Sequence, residues 1–175
     1  MLPTSSWSVC LLQKPPEFAE ILSALNREGV RFVVIGGLAL VLQGGSYVTF
    51  DLDLALASDP DNGSALIRAL APYHPFPPSF GSADRFVWDE RSFQGAVISL
   101  VTDLGHLDLL LVLPGLDSFD GLYERAEDRT VAGAHVKVAA IDDLIAMKEI
   151  ADLPKDRAHL DQLRALQELR RMNLD

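Results

Sequence analysis

Gly36-Gly37-Leu38-Ala39-Leu40-Val41-Leu42-Gln43-Gly44-Gly45, followed by Ser46-Tyr47-Val48-Thr49-Phe50-Asp51-Leu52-Asp53-Leu54, is the stretch on which the fold turns. A β-branched run, Arg31–Ile35, precedes it and reads as a buried strand. Glycines break that strand, a short apolar helix spans Leu38–Gln43, and Gly44-Gly45 stops it. Tyr47–Ala57 then alternates and reads as a second strand. On such a strand Asp51 and Asp53 share a face, about 7 Å apart at ~3.3 Å rise per residue. Leu52 and Leu54 face the other way, toward the core. Two carboxylates on one face repel unless something neutralises them. A solvated strand edge is the plain alternative. A divalent cation is the chemical one, since Mg²⁺ is held by one or two carboxylates plus substrate phosphates.

Three neighbouring features favour the cation. Gly36-Gly37 lies between a strand and a helix, where small residues let a phosphate approach backbone amides. Thr49 is expected on the same strand face as Asp51 and Asp53, with a hydroxyl for a carboxylate or a phosphate. Asp108 interrupts the apolar run Leu107–Leu113, where a lone carboxylate is costly unless paired or metal-bound. If these strands are neighbours, three carboxylates converge, enough for two metals ~3.5–4 Å apart.

Outward from this centre the pattern continues. Glu17–Arg27 is helical by the spacing of Phe18, Ile21, Leu22 and Leu25, and Gly29 ends it. Asp59–Ser64 is a turn and N-cap cluster leading into a helix over Ala65–Leu70. Pro72–Gly81 is a loop, and Arg85–Trp88 is expected as a short strand. Ala96–Thr102 and Leu107–Leu113 flank a hairpin turn over Asp103–His106. Ser118–Glu127 is expected as a helix, with Asp117, Asp120, Glu124 and Glu127 on a solvated face. Thr130–Val138 holds short β-branched pieces around a turn at Ala132-Gly133-Ala134. Helices follow over Ile141–Ala151 and Lys155–Arg171, the last with a leucine stripe at Leu160, Leu163, Leu166 and Leu169. The domain reading is a lead-in over 1–14, a core over 15–115 and a C-terminal extension over 116–175. The fold class is α/β (α+β), a mixed sheet flanked by helices.

Composition bounds the rest. The 175 residues are 49% apolar and 23% charged, enough to bury a core without staples. The net charge of −10 argues against broad non-specific DNA binding, which positive charge drives. One cysteine, Cys10, excludes a disulfide framework and a cysteine zinc site and suits a reducing compartment. No apolar run approaches the ~20 residues of a membrane helix. The expected setting is cytoplasmic. His74, His106, His135 and His159 share no metal-ligand spacing, and Asp84, Arg85, Trp88 and Arg91 suit either surface packing or an acceptor surface.

With these residues on the page, the chain resembles the DNA polymerase β-like nucleotidyltransferase superfamily. It is closest to small bacterial members typified by AbiEii-type toxins. Gly36-Gly37-Leu38-Ala39, Gly44, Thr49, Asp51, Asp53 and Asp108 sit where that family's motifs do, while Tyr47 stands where arginine is usual. Asp143-Leu144-Ile145 with Lys148 resembles the family's later helix, and Lys155-Asp156 followed by Asp161 resembles its ending. The resemblance implies the nucleotidyltransferase fold, an NTP substrate and Mg²⁺ or Mn²⁺. It implies Asp51, Asp53 and Asp108 as metal-binding and catalytic residues. Gly36, Gly37, Thr49 and Lys148 become nucleotide contacts. Lys155, Asp156 and Arg157 read on their own as an exposed helix start, or Asp156 and Asp161 as carboxylates that hold the lysine side chain in place. The implied acceptor is a hydroxyl on RNA such as a tRNA end, on a protein or on a small molecule, and an antitoxin is a possible partner. The alternative is an inactive nucleotidyltransferase-fold module that binds a partner protein.

Overall fold

The computed structural model describes residues 17–151 and 156–172. The 1–14 lead-in, Cys10 and Lys155 lie outside them. Helix α1 (Phe18–Arg27) buries Ile21, Leu22, Ala24 and Leu25 on one face. It ends where Gly29 takes a φ of +72° and the Val30 amide turns back to the Leu25 carbonyl. Strand β1 (Phe32–Val34) is wholly buried and runs into α2 (Gly36–Leu42). Strand β2 (Asp51–Leu56) returns beside it, and α3 (Pro60–Leu70) follows, capped by the Asp59 carboxylate on the Asn62 amide. Strands β3 (Val97–Thr102) and β4 (Gly105–Leu110) form a hairpin. After α4 (Phe119–Arg125) comes a second hairpin, β5 (Glu127–Val131) and β6 (Ala134–Val138), and then α5 (Ile141–Ala151) and α6 (Arg157–Met172). No described helix is long and apolar enough to cross a membrane.

The six strands form one mixed sheet in the order β3-β4-β2-β1-β6-β5. The β2–β4 and β1–β6 pairs are parallel and the other three antiparallel. Leu52, Leu54, Leu107 and Leu109 are fully buried on one face of the two central parallel strands. Their alternates, Asp51, Asp53 and Asp108, therefore point to the other.

Several boundaries differ from the sequence reading, each for a physical reason. Strand β2 begins at Asp51, so Tyr47 to Phe50 lie outside it. Strand β1 pairs only as far as Val34 with Leu54, because Gly36 then turns the chain into α2. Strand β4 pairs only back to His106 with Asp51, because Gly105 begins its hairpin. Upstream of Asp51 neither neighbour offers further ladder. His106 is a strand residue rather than a turn residue. Arg85–Trp88 forms no strand; a 3₁₀ turn occupies Ala83–Arg85, and the Trp88 indole donates to the Ile67 carbonyl. Helix α4 stops at Arg125, and Glu127 opens β5 opposite Val138. The leucine stripe of α6 is only partly inward: Leu163 is buried and Leu169 is 55% exposed. Steps of three residues turn ~300°, so such a stripe drifts ~60° per step around the helix.

Helix α6 is fixed over the sheet by a polar clamp. Arg170 donates to Gln43 Oε1 at 2.5 Å and to Glu127 Oε1 at 2.7 Å, while Gln43 Nε2 donates to the Ala139 carbonyl at 2.7 Å. Burial works against the Glu127 charge, but Arg170 and Arg129 prevail and hold its carboxyl below the ordinary carboxylate value. Glu127 is thus a paired strand residue and not part of a solvated helix face. Gln43 is 4% exposed, so Gln43→Ala leaves the buried Ala139 carbonyl without this donor and takes one of its two acceptors from Arg170. The expected cost is about 1–3 kcal/mol in urea denaturation, with an unchanged m-value.

Candidate active site

The register of β2 and β4 builds the site. Asp53 is paired side by side with Asp108, and Asp51 with His106. Adjacent strands lie about 4.8 Å apart, so the carboxylates of Asp53 and Asp108 share one crowded patch of the same face. The Asp-x-Asp spacing adds Asp51 to that face. All three line a cleft of about 630 Å³. Its other walls come from Gly36, Gly37 and Tyr47 on one side, Leu110 and Pro114 on another, and Met147, Lys148, Asp156, His159 and Gln162 from the last two helices.

The glycine pair is the seat of Asp53. Gly36 has a φ of +64°, and a Cβ there would lie 2.0 Å from Asp53 Oδ2. The Gly37 amide donates to the Asp53 carboxylate. A Cβ on Gly37 would lie 2.9 Å from the Tyr47 ring and 3.0 Å from Thr49 Oγ1. Thr49 lines the cleft but precedes the strand, so the expected shared strand face is corrected. Its hydroxyl donates to the Asp51 carbonyl at 2.9 Å and accepts from the Asp51 amide at 3.4 Å. It sets the first turn of β2 rather than touching a carboxylate.

Burial pushes the Asp53 carboxyl up to about 6 from an ordinary 3.8; Asp108 and Asp51 add to the rise, while the Gly37 amide and Lys148 oppose it. Lys148 ion-pairs with Asp156 Oδ1 at 2.5 Å, the two side chains being 14% and 9% exposed. Asp156 is therefore the carboxylate that holds a lysine; Asp161 is exposed on α6. His159 packs edge-on against the Tyr47 ring at 4.2 Å between centroids. Gln162 Oε1 accepts from the Ser46 amide at 2.9 Å and ties the loop before β2 to α6. His159 and Gln162 were not singled out as site residues in the sequence. Their only signal is the three-residue spacing from Asp156 along one helix face, and nothing local says that this face covers the carboxylates. Asp84, Arg85, Trp88 and Arg91 do not line the cleft. Asp143 lies outside it too, buried and bonded to Arg125 by a 2.7 Å ion pair that ties α5 to α4.

The donors fit a hard divalent cation. They are carboxylate oxygens, the ligands Mg²⁺ and Mn²⁺ prefer. After burial, Asp108 and Asp51 contribute to the rise at Asp53, and a cation between them would relieve that part. Among the described residues no three His, Cys, Asp or Glu side chains already close on one point. Holding one ion between them would require the side chains of Asp51, Asp53 and Asp108 to turn toward one another about their Cα–Cβ bonds.

Two outcomes follow from this geometry. Gly36→Ala is expected to cost about 2–4 kcal/mol, from the left-handed backbone and the displaced carboxylate together. Gly29→Ala, at a φ of +72° in open space, carries only the backbone part. Equal losses in thermal denaturation would remove the glycine seat from the account. The second concerns pH. A carboxyl whose folded value lies above its unfolded one costs nothing at low pH and its full penalty above the folded value. Asp53 therefore lowers the stability of the metal-free protein as pH rises from about 4 to about 6. Asp53→Asn is expected to melt with the parent at pH 4 and above it at pH 7, by about 1–3 kcal/mol in a solvated cleft. Parallel melting curves at both pH values would contradict this.

No protein-family model and no curated protein sequence matches the chain. Solved structures do. The chain is similar to the lincosamide antibiotic adenylyltransferase LnuA in its lincomycin-bound form, at 12% identity and a TM-score of 0.57, covering 94% of this chain and 99% of that one. It is similar to ANT(2″)-Ia in complex with adenylyl-2″-tobramycin, at 14% identity and a TM-score of 0.52, covering 97% and 100%. A solution structure of ANT(2″)-Ia gives 15% identity and a TM-score of 0.52 over 93% and 84%. At these identities the likeness establishes the fold: a mixed six-stranded sheet flanked by helices, in the nucleotidyltransferase arrangement.

Proposed function

We propose that the protein is a metal-dependent nucleotidyltransferase that moves an NMP from an NTP to the hydroxyl of a small molecule. The observation that carries this reading is the trio Asp51, Asp53 and Asp108, gathered by the β2–β4 register at the floor of an open cleft. Both compared transferases are described with antibiotics, lincomycin and adenylyl-tobramycin, which favours a small-molecule acceptor over RNA or protein. The setting is the cytoplasm, where NTPs and Mg²⁺ are abundant.

In the reaction the acceptor oxygen bonds to the α-phosphorus while the bond from that phosphorus to the β-phosphate bridging oxygen breaks. Pyrophosphate leaves and the hydroxyl proton is released. Asp51, Asp53 and Asp108 hold Mg²⁺ or Mn²⁺, which when bound neutralises the triphosphate and acidifies the acceptor hydroxyl. Gly36 and Gly37 let Asp53 sit against the backbone, and the phosphates enter beside that carboxylate. Thr49 fixes the main chain under Asp51. Asp108, nearest the open sheet edge, takes the acceptor proton. Lys148 offers the cleft a positive charge for the departing pyrophosphate.

A second reading is favoured by Tyr47, which puts an aromatic ring where the resembled family usually has an arginine. It is a non-catalytic module that binds a partner protein, an antitoxin among them. A thermal-shift titration separates the two. Each NTP is added at millimolar concentration, with and without Mg²⁺, to the parent and to Asp51→Asn/Asp53→Asn. A Mg²⁺-dependent rise is expected with at least one NTP, worth about 2.7 kcal/mol at a hundred times Kd. It is lost in the variant. No rise with any NTP leaves the partner-binding module.

A further inference from the structure

On the face that carries the carboxylates, the sheet does not end at Asp108. Strand β3 lies beyond β4 as the sheet edge, in antiparallel register: Val97 with Leu110, Ser99 with Asp108, Val101 with His106. Paired residues present side chains to the same side. The alternates Ile98, Leu100 and Thr102 are buried. Val97 is 50% exposed, Ser99 is exposed, and Val101 and Leu110 are half-buried. One continuous strip therefore crosses the sheet. The glycine loop is followed by Asp51 and Asp53, then Asp108 and Leu110, then Val97, Ser99 and Val101 on β3, with Phe76 bridged to the outer side of Val101.

We propose that this edge, formed by Val97, Ser99, Val101 and Leu110 beside Asp108, is the acceptor shelf, and that it takes a hydroxylated small molecule with an apolar face. This rests on the nucleotidyltransferase reading. The nucleotide occupies the glycine side, so the second substrate comes from the opposite side of the carboxylates. At about 4.8 Å between strands, a ring lying on β3 brings its hydroxyl to Asp108, one strand away.

Chemistry selects among acceptors. Val97, Ser99, Val101 and Leu110 bring no charge of their own; the ionisable neighbours in the register are Asp108, beside Ser99, and His106, beside Val101. An RNA acceptor needs several cations for its phosphates, and Lys148 is the one lysine or arginine lining the cleft among the described residues. A polycation needs carboxylates to spare. Asp156 is engaged with Lys148, and the other three are committed to the metal and the reaction. What the shelf offers is apolar contact from Val97, Val101 and Leu110, continued by Pro114 and Met147 in the cleft wall, with the Ser99 hydroxyl as a polar guide. A second copy of the chain is a poorer occupant. Stable interfaces use about 20–30 residues a side, and the shelf is a handful.

The test is methyl NMR of the full chain, following Val97, Val101 and Leu110 during addition of lincomycin, tobramycin or a short single-stranded RNA with a free 3′ end. Lincomycin is expected to shift these methyls and to bind more tightly than the other two. Val97→Asp is expected to weaken lincomycin about tenfold or more by placing a charge against an apolar contact. Ser99→Arg repeats the test at the neighbouring position. Both variants keep the Mg²⁺-dependent NTP shift, because neither residue touches the nucleotide side. Tighter binding of tobramycin or RNA overturns the shelf, as does lincomycin binding indifferent to both variants. A change of oligomeric state in Val97→Asp with lincomycin binding intact assigns the edge to a second copy and also overturns it. If the parent shows no NTP shift while lincomycin still moves these methyls, the transferase reading fails and the shelf stands as a binding site. If both are lost, both fall.

Discussion

The parallel register of β2 and β4 forces Asp53 and Asp108 into adjacent positions on one face, and the rest of the site is arranged around their repulsion. The register is itself set by hydrophobic burial. Leu52, Leu54, Leu107 and Leu109 are all fully buried on the opposite face. A one-residue slip of either strand would send a carboxylate into that core and a leucine into the cleft. Burying those leucines is worth about 1.5–3 kcal/mol each, which outweighs the electrostatic cost at Asp53. The core thus holds like charges together that would separate if the strands were free. Burial of the leucines covers the cost of bringing the carboxylate-bearing strands together, and a cation would have only side-chain rotations left to set.

Lys148 is positioned by the same balance. A buried lysine beside three aspartates could collapse onto them and cancel the charge meant for a cation. Instead Asp156, immediately before α6, takes it at 2.5 Å. The helix it leads into is fixed at its other end by the clamp of Arg170, Gln43 and Glu127. Removing one member of a buried ion pair costs about 3–5 kcal/mol, so the lysine is strongly held. The cleft therefore keeps a cation on its wall and uncompensated negative charge on its floor.

The centre of the fold was legible in the sequence because local pattern and tertiary burial agree there. The alternation from Asp51 to Leu54 is that of a half-buried strand, and the glycines, the hairpin at Asp103–His106 and the helix at Ile141–Ala151 each carry local signals. Thr49 was misplaced because alternation continues past the point where partner strands run out, and a single strand's sequence does not record its neighbours' lengths. Glu127 was misread because acidic residues suit a helix face as well as an edge strand; only Arg170, forty-three residues on, shows which it is. His159 and Gln162 were illegible for a related reason. Their value comes from the packing of α6 over the sheet, which no nearby residue announces.

The glycine pair shows how one residue choice serves two requirements. In the sequence, Gly36-Gly37 reads as room for a phosphate. In the structure it is first of all room for Asp53, since a Cβ at Gly36 would stand 2.0 Å from that carboxylate and the Gly37 amide is donated to it. The two halves of the motif, separated by α2 and the loop from Gly44 to Phe50, are therefore one steric unit. The separation follows from the path: a helix of seven residues carries the chain away from β1, and the loop must return it beside β1 in antiparallel register. A helix of this length advances about 10 Å, which the returning segment retraces in extended form. The register that buries Leu52 and Leu54 is what delivers Asp53 to that seat at the end of the return. The spacing between Gly36 and Asp53 is thus a property of the carboxylate's seat, and the space left for a nucleotide is its consequence.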